Sequence, residues 1–214
     1  MSPRLVILSA PSGGGKTTIA RRLEASRRDV GFSVSATTRT PRANEREGVD
    51  YYFFPREEFL RRTEAGEFLE WAEYAGHLYG TLTAEVDRLF ARGKHVLLDI
   101  EVQGAEQVRR RRKDALAIFI LPPSADELVR RLAGRRSETR EQLARRIAQA
   151  DRELEAALGY DRVVVNDDLD GAVEAVSGFI DGRAVGGLGQ SERDALVASL
   201  QQELRRRQGE FENI

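Results

Sequence analysis

The chain has 214 residues, no cysteine and a net charge of −1 at pH 7, with 34 Lys+Arg against 35 Asp+Glu. That length suits one compact unit or a core carrying inserted subdomains. Without cysteine there are no disulfides and no thiolate metal sites, His77 and His95 are too few and too far apart for a zinc site, and the balanced charge gives no general pull toward nucleic acid or anionic membrane.

In chain order, the apolar run Leu5–Ser9 reads as a strand. Residues 8–18 then read Leu-Ser-Ala-Pro-Ser-Gly-Gly-Gly-Lys-Thr-Thr, and a helix is expected over Lys16–Arg28 with Ile19, Ala20 and Leu23 on one face. A strand, a glycine-rich turn, a lysine and then hydroxyls opening a helix make a phosphate-binding loop. Its backbone N–H groups converge on an anion, and the helix adds its positive N-terminal end. On this reading Ala10, Pro11, Ser12, Gly13, Gly14, Gly15, Lys16, Thr17 and Thr18 form a nucleotide site, with Lys16 on the β- and γ-phosphates and the Thr17 hydroxyl on Mg²⁺. Ala10 stands where the pattern has its first glycine, a mild departure because the phosphate-facing groups come later. Lys16 is one of only three lysines in an arginine-rich chain, the others being Lys94 and Lys113.

Further on, Phe32–Ala36 reads as a strand, Tyr51–Phe54 as an aromatic strand, Glu57–Ala65 as a short helix and Phe68–Tyr74 as a strand. His95–Ile100 is a buried strand followed by a helix from Gln103, and Leu116–Leu121 a second buried strand stopped by Pro122-Pro123. Ser124 caps a helix to Ala133, with Glu127 at the capping-box position. A long charged helix covers Thr139–Leu158, a last strand Arg162–Val165 and a helix Leu169–Ile180. A glycine-rich linker precedes an amphipathic stretch over Ser191–Gln208 with Leu196, Val197, Leu200 and Leu204. Alternating strands and helices with near-continuous apolar strands predict a parallel sheet covered on both faces, and residues 36–82 interrupt that rhythm as a mixed insertion. Neither a membrane-length apolar run nor a signal-peptide pattern is present, so a cytoplasmic protein with no membrane or nucleic-acid partner is expected.

The insertion and its neighbours carry Phe32-Ser-Val-Ser-Ala-Thr-Thr-Arg-Thr-Pro-Arg42, Glu45, Gly48-Val-Asp-Tyr51, Glu70-Trp71-Ala72, Tyr79-Gly80-Thr81 and Leu98-Asp-Ile-Glu-Val-Gln-Gly104. Over roughly residues 4–181 the chain resembles the guanylate kinases, P-loop enzymes that move a phosphoryl group from ATP to GMP. The resemblance implies a P-loop NTPase α/β fold: a three-layer α/β/α core on a parallel sheet (residues 1–34, 83–133 and 147–181), with a small mixed α+β GMP-binding subdomain (35–82) and a helical lid (134–146), followed by a linker and C-terminal helix (182–214). It implies ATP and GMP or dGMP as substrates, Mg²⁺ as cofactor, and a monomer or homodimer.

The residue chemistry agrees with that pocket. Arg39 and Arg42 can fork onto phosphate oxygens, and Tyr51 and Tyr79 add phenolic donors. Guanine presents N1–H and a 2-amino group, so its site needs carboxylate acceptors: Glu70 and Glu101, with Ser35 and Thr81 as hydroxyl partners. By the resemblance Ser35, Arg39, Arg42, Glu45, Tyr51, Glu70, Tyr79 and Thr81 line the GMP pocket, and Glu101 departs conservatively if the family carries aspartate there. Asp99, ending an apolar strand, is placed to hold Mg²⁺ or else is a buried structural carboxylate. Arg135 and Arg146 match the lid arginines that close on ATP, while Arg130, Arg131, Arg140 and Arg152 read as a solvated helix face paired with glutamates. The resemblance puts Asn166 near the adenine of ATP, with a helix cap as the alternative for Asn166 or Asp168 and the cap reading favoured for Asp168. A P-loop kinase of a phosphorylated sugar would keep Lys16 and Asp99 without needing Glu70, and a non-catalytic phosphopeptide-binding module of guanylate-kinase type would need neither Lys16 nor the lid arginines. The Asn-Lys-x-Asp motif of regulatory GTPases is missing.

Overall fold

The computed structural model describes residues 2–74, 76–133, 140–183 and 187–212, with side chains up to residue 209. Strand β1 (Leu5–Ser9) is buried at every residue, as its unbroken apolar run requires. Helix α1 (Lys16–Ser26) buries Ile19, Ala20 and Leu23, the stripe read from spacing. The run expected as one strand over Phe32–Ala36 is two strands, β2 (Val30–Phe32) and β3 (Ser35–Thr37), which belong to different sheets. The chain changes partner at Ser33 and Val34: the Ser33 N–H still bonds the Leu97 carbonyl at 2.9 Å, and Ser35 already faces Thr81. Partner choice is long-range, so local periodicity carries no trace of that switch.

Then follow β4 (Tyr52–Phe53), α2 (Arg56–Glu64), β5 (Phe68–Tyr74), β6 (His77–Leu82), α3 (Thr83–Ala91), β7 (His95–Asp99), α4 (Val102–Arg111) and β8 (Leu116–Leu121). The chain closes with α5 (Ala125–Ala133), α6 (Arg140–Glu155), a single 3₁₀ turn over Ala156–Gly159, β9 (Arg162–Val165), α7 (Leu169–Ile180) and α8 (Gln190–Glu212). β6 and α3 go beyond the sequence expectations; Gly80 in mid-strand dilutes the β pattern of β6. The Ser124 hydroxyl accepts the Glu127 N–H at 3.1 Å, but the Glu127 carboxylate turns to Arg130 and Arg131, so half of the capping box is used.

The larger sheet is parallel, in the order β2-β7-β1-β8-β9, and its non-consecutive neighbours require helical crossovers. The smaller, mixed sheet runs β4-β3-β6-β5. The chain divides into two compact units, one of residues up to Ile7 with Glu24–Leu116, the other of Leu8–Leu23 with the chain from Ala117 on.

In the first unit the small sheet covers a cluster of Ala36, Phe59, Phe68 and Leu78, extended by Tyr52, Phe54, Trp71 and Leu82. Alternation then sends Ser35 and Thr37 of β3, and Tyr79 and Thr81 of β6, to the other face, where Ser35 sits opposite Thr81 and Thr37 opposite Tyr79. In the second unit α8 lies on α6 and α5, burying Val197, Leu200 and Leu204 of the expected apolar stripe and leaving Leu196 half-buried. Polar contacts fasten it: Gln201 Nε2 to the Asp151 carbonyl at 3.0 Å, Arg205 to Asp151 at 3.0 Å, and Arg207 to Asp126 at 2.6 Å.

Candidate functional site

The functional residues fall into two groups, one in each unit. In the second unit the loop between β1 and α1 is a tight turn closed by the Gly14 N–H on the Pro11 carbonyl at 2.8 Å. Gly15 holds a φ of +91°, a left-handed conformation that costs a side-chain-bearing residue about 1–2 kcal/mol. The departure at position 10 is accommodated locally. Ala10 is fully buried, and its methyl lies 2.7 Å from where a Cβ on Gly14 would be, so the two positions together hold a single methyl. Lys16 is half-buried, and Thr17 and Thr18 are exposed at the start of α1.

Three side chains brace this loop from behind. Asn166, 7 % exposed at the end of β9, donates its amide N–H to the Gly14 carbonyl at 2.9 Å. That amide nitrogen therefore serves the loop backbone. Glu153 of α6, also buried, accepts the Ser12 N–H at 3.0 Å. Arg146, one of the expected lid arginines, donates to the Leu132 carbonyl at 2.8 Å and to the Ser12 hydroxyl at 3.4 Å. Its counterpart Arg135 lies outside the described residues.

Arg131 corrects a reading from sequence. Its Nε does pair with Glu127 at 2.7 Å, as a solvated helix face would. But Nη2 reaches the Asn166 carbonyl at 3.3 Å, while Nη1 is buried without a hydrogen-bond partner, 3.9 Å from where a Cβ on Gly15 would be. A desolvated cationic donor at a phosphate loop is a candidate contact for an anionic ligand. The available signal was helical position: Arg131 adjoins Leu128 and Leu132, which are fully buried. Glu153 was missed for a similar reason, since charged residues at α6 spacing look solvent-facing. Asp168 behaves as the cap it was read to be, accepting the Gly171 N–H at 2.8 Å.

In the first unit, Arg39 grips Glu45 with both guanidinium nitrogens, at 2.8 and 3.0 Å. Glu45 also accepts the Arg42 N–H at 2.8 Å, which leaves the Arg42 side chain exposed beside the pair. Arg39 holds the Glu45 carboxyl below its ordinary range. The Arg39 guanidinium stands 5.3 Å from the centre of the Tyr51 ring, which meets the Tyr79 ring edge-on at 6.2 Å. The cluster thus brings together one guanidinium bound to a carboxylate, a second exposed arginine and two phenols.

On the same sheet face lie Ser35, Thr81 and Glu70. The Thr81 hydroxyl donates to Glu70 Oε1 at 2.7 Å, and Glu70 is only 4 % exposed. Burial pushes the Glu70 carboxyl up to about 7; the Thr81 hydrogen bonds oppose this and the negative charge of Glu101 adds to it. Asp99 ends β7 and Glu101 stands at the N-terminus of α4, both half-buried. A buried carboxyl with a raised pKa is a candidate contact for N–H donors of a ligand. Among the described residues no group of three or more His, Cys, Asp or Glu side chains is placed to hold a metal, and no helix is long and apolar enough to cross a membrane.

A glycine-rich loop between a buried parallel strand and a helix opened by Lys16 gives the chain the core of a P-loop nucleotide-binding protein. The family model described as guanylate kinase matches residues 2–183. Guanylate kinases of Salinibacter ruber and Thermosynechococcus vestitus are 52% identical over 172 residues and 49% over 173. These cover 79% and 81% of this chain and 91% of each relative. A crystal structure of guanylate kinase from Anaplasma phagocytophilum superposes with a TM-score of 0.71 at 33% identity, covering 90% of this chain and 93% of that one. The chain belongs to the guanylate kinase family.

Proposed function

We propose that this chain catalyses the reversible, Mg²⁺-dependent transfer of the γ-phosphoryl group of ATP to GMP or dGMP, in the cytoplasm. The observation that carries the acceptor assignment is the buried Glu70 carboxylate, hydrogen-bonded to Thr81 and raised by burial, on the face that also bears Ser35 and Tyr79. Guanine satisfies it with N1–H and the 2-amino group. Adenine offers neither donor pair and would leave a buried carboxylate unmatched, a penalty of about 1–3 kcal/mol or more. Glu101 adds a second acceptor, and Arg39, Arg42, Tyr51 and Tyr79 take the acceptor phosphate.

On the donor side Gly13 to Thr18 cradle the ATP phosphates, with Ala10, Pro11 and Ser12 shaping the turn. Lys16 and Arg146, together with Arg135, neutralise charge on the moving group. Asn166 and Glu153 fix the rear of that loop, and Arg131 Nη1 adds a cationic donor beside it. The GMP phosphate oxygen is already ionised near neutral pH, so no general base is needed. The Thr17 hydroxyl and the Asp99 carboxylate are hard oxygen donors, the type Mg²⁺ takes. Bound Mg²⁺ would supply neutralisation of phosphate charge. We assign residues 35–82 to GMP binding, 134–146 to a lid and the remainder up to 181 to the nucleotide core.

A coupled assay of ATP consumption against GMP, dGMP, AMP, UMP and ribose bisphosphate tests the reading. Turnover with the two guanine nucleotides alone is expected. Preference for the sugar bisphosphate would overturn the acceptor assignment, and binding without turnover would move the chain to a phosphopeptide-type module. Sizing chromatography distinguishes monomer from homodimer.

A further inference from the structure

A local irregularity, not simple strand alternation, aims Glu70. Strands β5 and β6 begin with Phe68 opposite Leu82 and continue with Glu70 opposite Thr81 and Trp71 opposite Gly80. Two residues of β5 thus answer one step of β6, which is a β-bulge at Leu69. In an unbroken strand Phe68 and Glu70 would share a face. The carboxylate would then enter the apolar cluster of Phe59, Phe68 and Leu78. Past the bulge it is Trp71 that joins Phe68 against that cluster, and Glu70 turns to the face of Thr81.

A bulge withdraws backbone groups from the ladder, and β5 is an edge strand with an open outer side. Helix α4 supplies partners for both. Arg111 Nη1 donates to the carbonyls of Phe68 and Leu69, at 2.9 and 2.7 Å, the two residues before Glu70. Gln107 brackets the residue after it: Nε2 donates to the Trp71 carbonyl at 2.7 Å, and Oε1 accepts the Trp71 N–H at 3.3 Å. Gly104 lies on the same helix face, three residues before Gln107. A Cβ there would stand 2.4 Å from Glu70 Oε2, so glycine makes room for the carboxylate.

We propose that Gln107 and Arg111 are positioning residues for guanine recognition, holding the bulge that turns Glu70 out of the apolar core and toward the nucleotide. The inference rests on Glu70 as the base contact. Both side chains bond the backbone of β5 and act on the base through Glu70. They act as a surrogate strand whose register sets the face on which a charged side chain emerges. A one-residue slip would reverse that face.

The test is steady-state kinetics of Gln107→Leu, Arg111→Met and the double variant, with GMP and IMP as acceptors at saturating ATP and with ATP varied at saturating GMP. IMP lacks the 2-amino group, so the GMP/IMP ratio of kcat/KM reads the second donor that Glu70 meets. In the double variant KM for GMP should rise roughly tenfold and the GMP/IMP ratio should fall by a similar factor, while KM for ATP holds within about twofold. Arg111→Lys keeps a cationic nitrogen that can donate to these carbonyls and should recover part of the loss. Glu70→Gln should lose the same preference, and adding the two α4 changes to it should lower the ratio little further. A double variant with a lower melting temperature but an unchanged ratio would overturn the proposal, since α4 would then only stabilise the fold. A Glu70→Gln enzyme that keeps the ratio would instead remove the base contact on which the proposal rests.

Discussion

The hydroxyl of Thr81 donates to the carboxylate of Glu70 at 2.7 Å, in a site where Glu70 is 4 % exposed and its carboxyl is pushed up to about 7. With its carboxyl raised to about 7, Glu70 should be protonated in the free enzyme below neutrality, and guanine binding should displace that proton, because only the ionised carboxylate accepts both N1–H and the 2-amino group. GMP affinity should rise as pH increases through about 7 and then level off. Calorimetry at about pH 6 in buffers of different ionisation enthalpy should detect proton release on GMP binding. Affinity independent of pH from about 6 to 8 would argue against it.

The same group predicts a trade between stability and function. With its folded value raised above the ordinary 4.5, Glu70 keeps a proton in the native state that the unfolded chain has already lost. Its contribution to stability is therefore greatest below about 4.5, falls as pH rises through about 7, and stays reduced above that. Glu70→Gln removes the penalty of burying the charge. The ligand-free variant should melt higher than the parent at about pH 8, with a smaller gap at about pH 5, and bind GMP far more weakly. Thermal scans at the two pH values, paired with GMP titrations, check both halves.

At the donor loop the braces should affect ATP alone. Asn166→Ala leaves the Gly14 carbonyl without its 2.9 Å partner, which costs about 1–3 kcal/mol. Arg131→Met removes the buried Nη1 beside Gly15. Both variants should raise KM for ATP by roughly tenfold while KM for GMP stays near its parent value. Lys16→Ala should abolish transfer and keep GMP binding. Equal losses on both substrates would show that these residues support the fold as a whole.

The strands Leu5–Ser9, Leu116–Leu121 and Arg162–Val165 were legible to the residue because each is a continuous apolar run with clear punctuation. The division of Phe32–Ala36 between two sheets was not, because nothing at Ser33 announces a new partner. The grouping of Arg39, Glu45, Tyr51 and Tyr79 was legible as residue types in order, and these side chains do form one cluster, which is proposed as the acceptor site. What spacing hid was the supporting layer. Glu153 and Arg131 read as solvent-facing charges, and their role depends on which helix face meets the loop. The bulge at Leu69 is a register event between two strands, visible only once they are paired.

The C-terminal helix offers the last prediction. Its sequence left open whether it docks on the chain, joins a second subunit or stays loose. Val197, Leu200 and Leu204 are at most 2 % exposed, on the helix face turned to α6 and α5. Each such side chain contributes about 1.5–3 kcal/mol by leaving water. Leu204→Ala should therefore destabilise the protein by roughly 2–5 kcal/mol through the cavity it leaves. Asp151 accepts from Gln201 and Arg205 of α8, and two residues along the same helix Glu153 holds the Ser12 N–H of the phosphate loop. Removal of the chain after Arg183 should then do more than lower the melting temperature. With α6 less constrained, KM for ATP should increase while KM for GMP does not. A truncated enzyme that melts lower but keeps its KM for ATP would confine α8 to stability, and one that melts as before would contradict the docking.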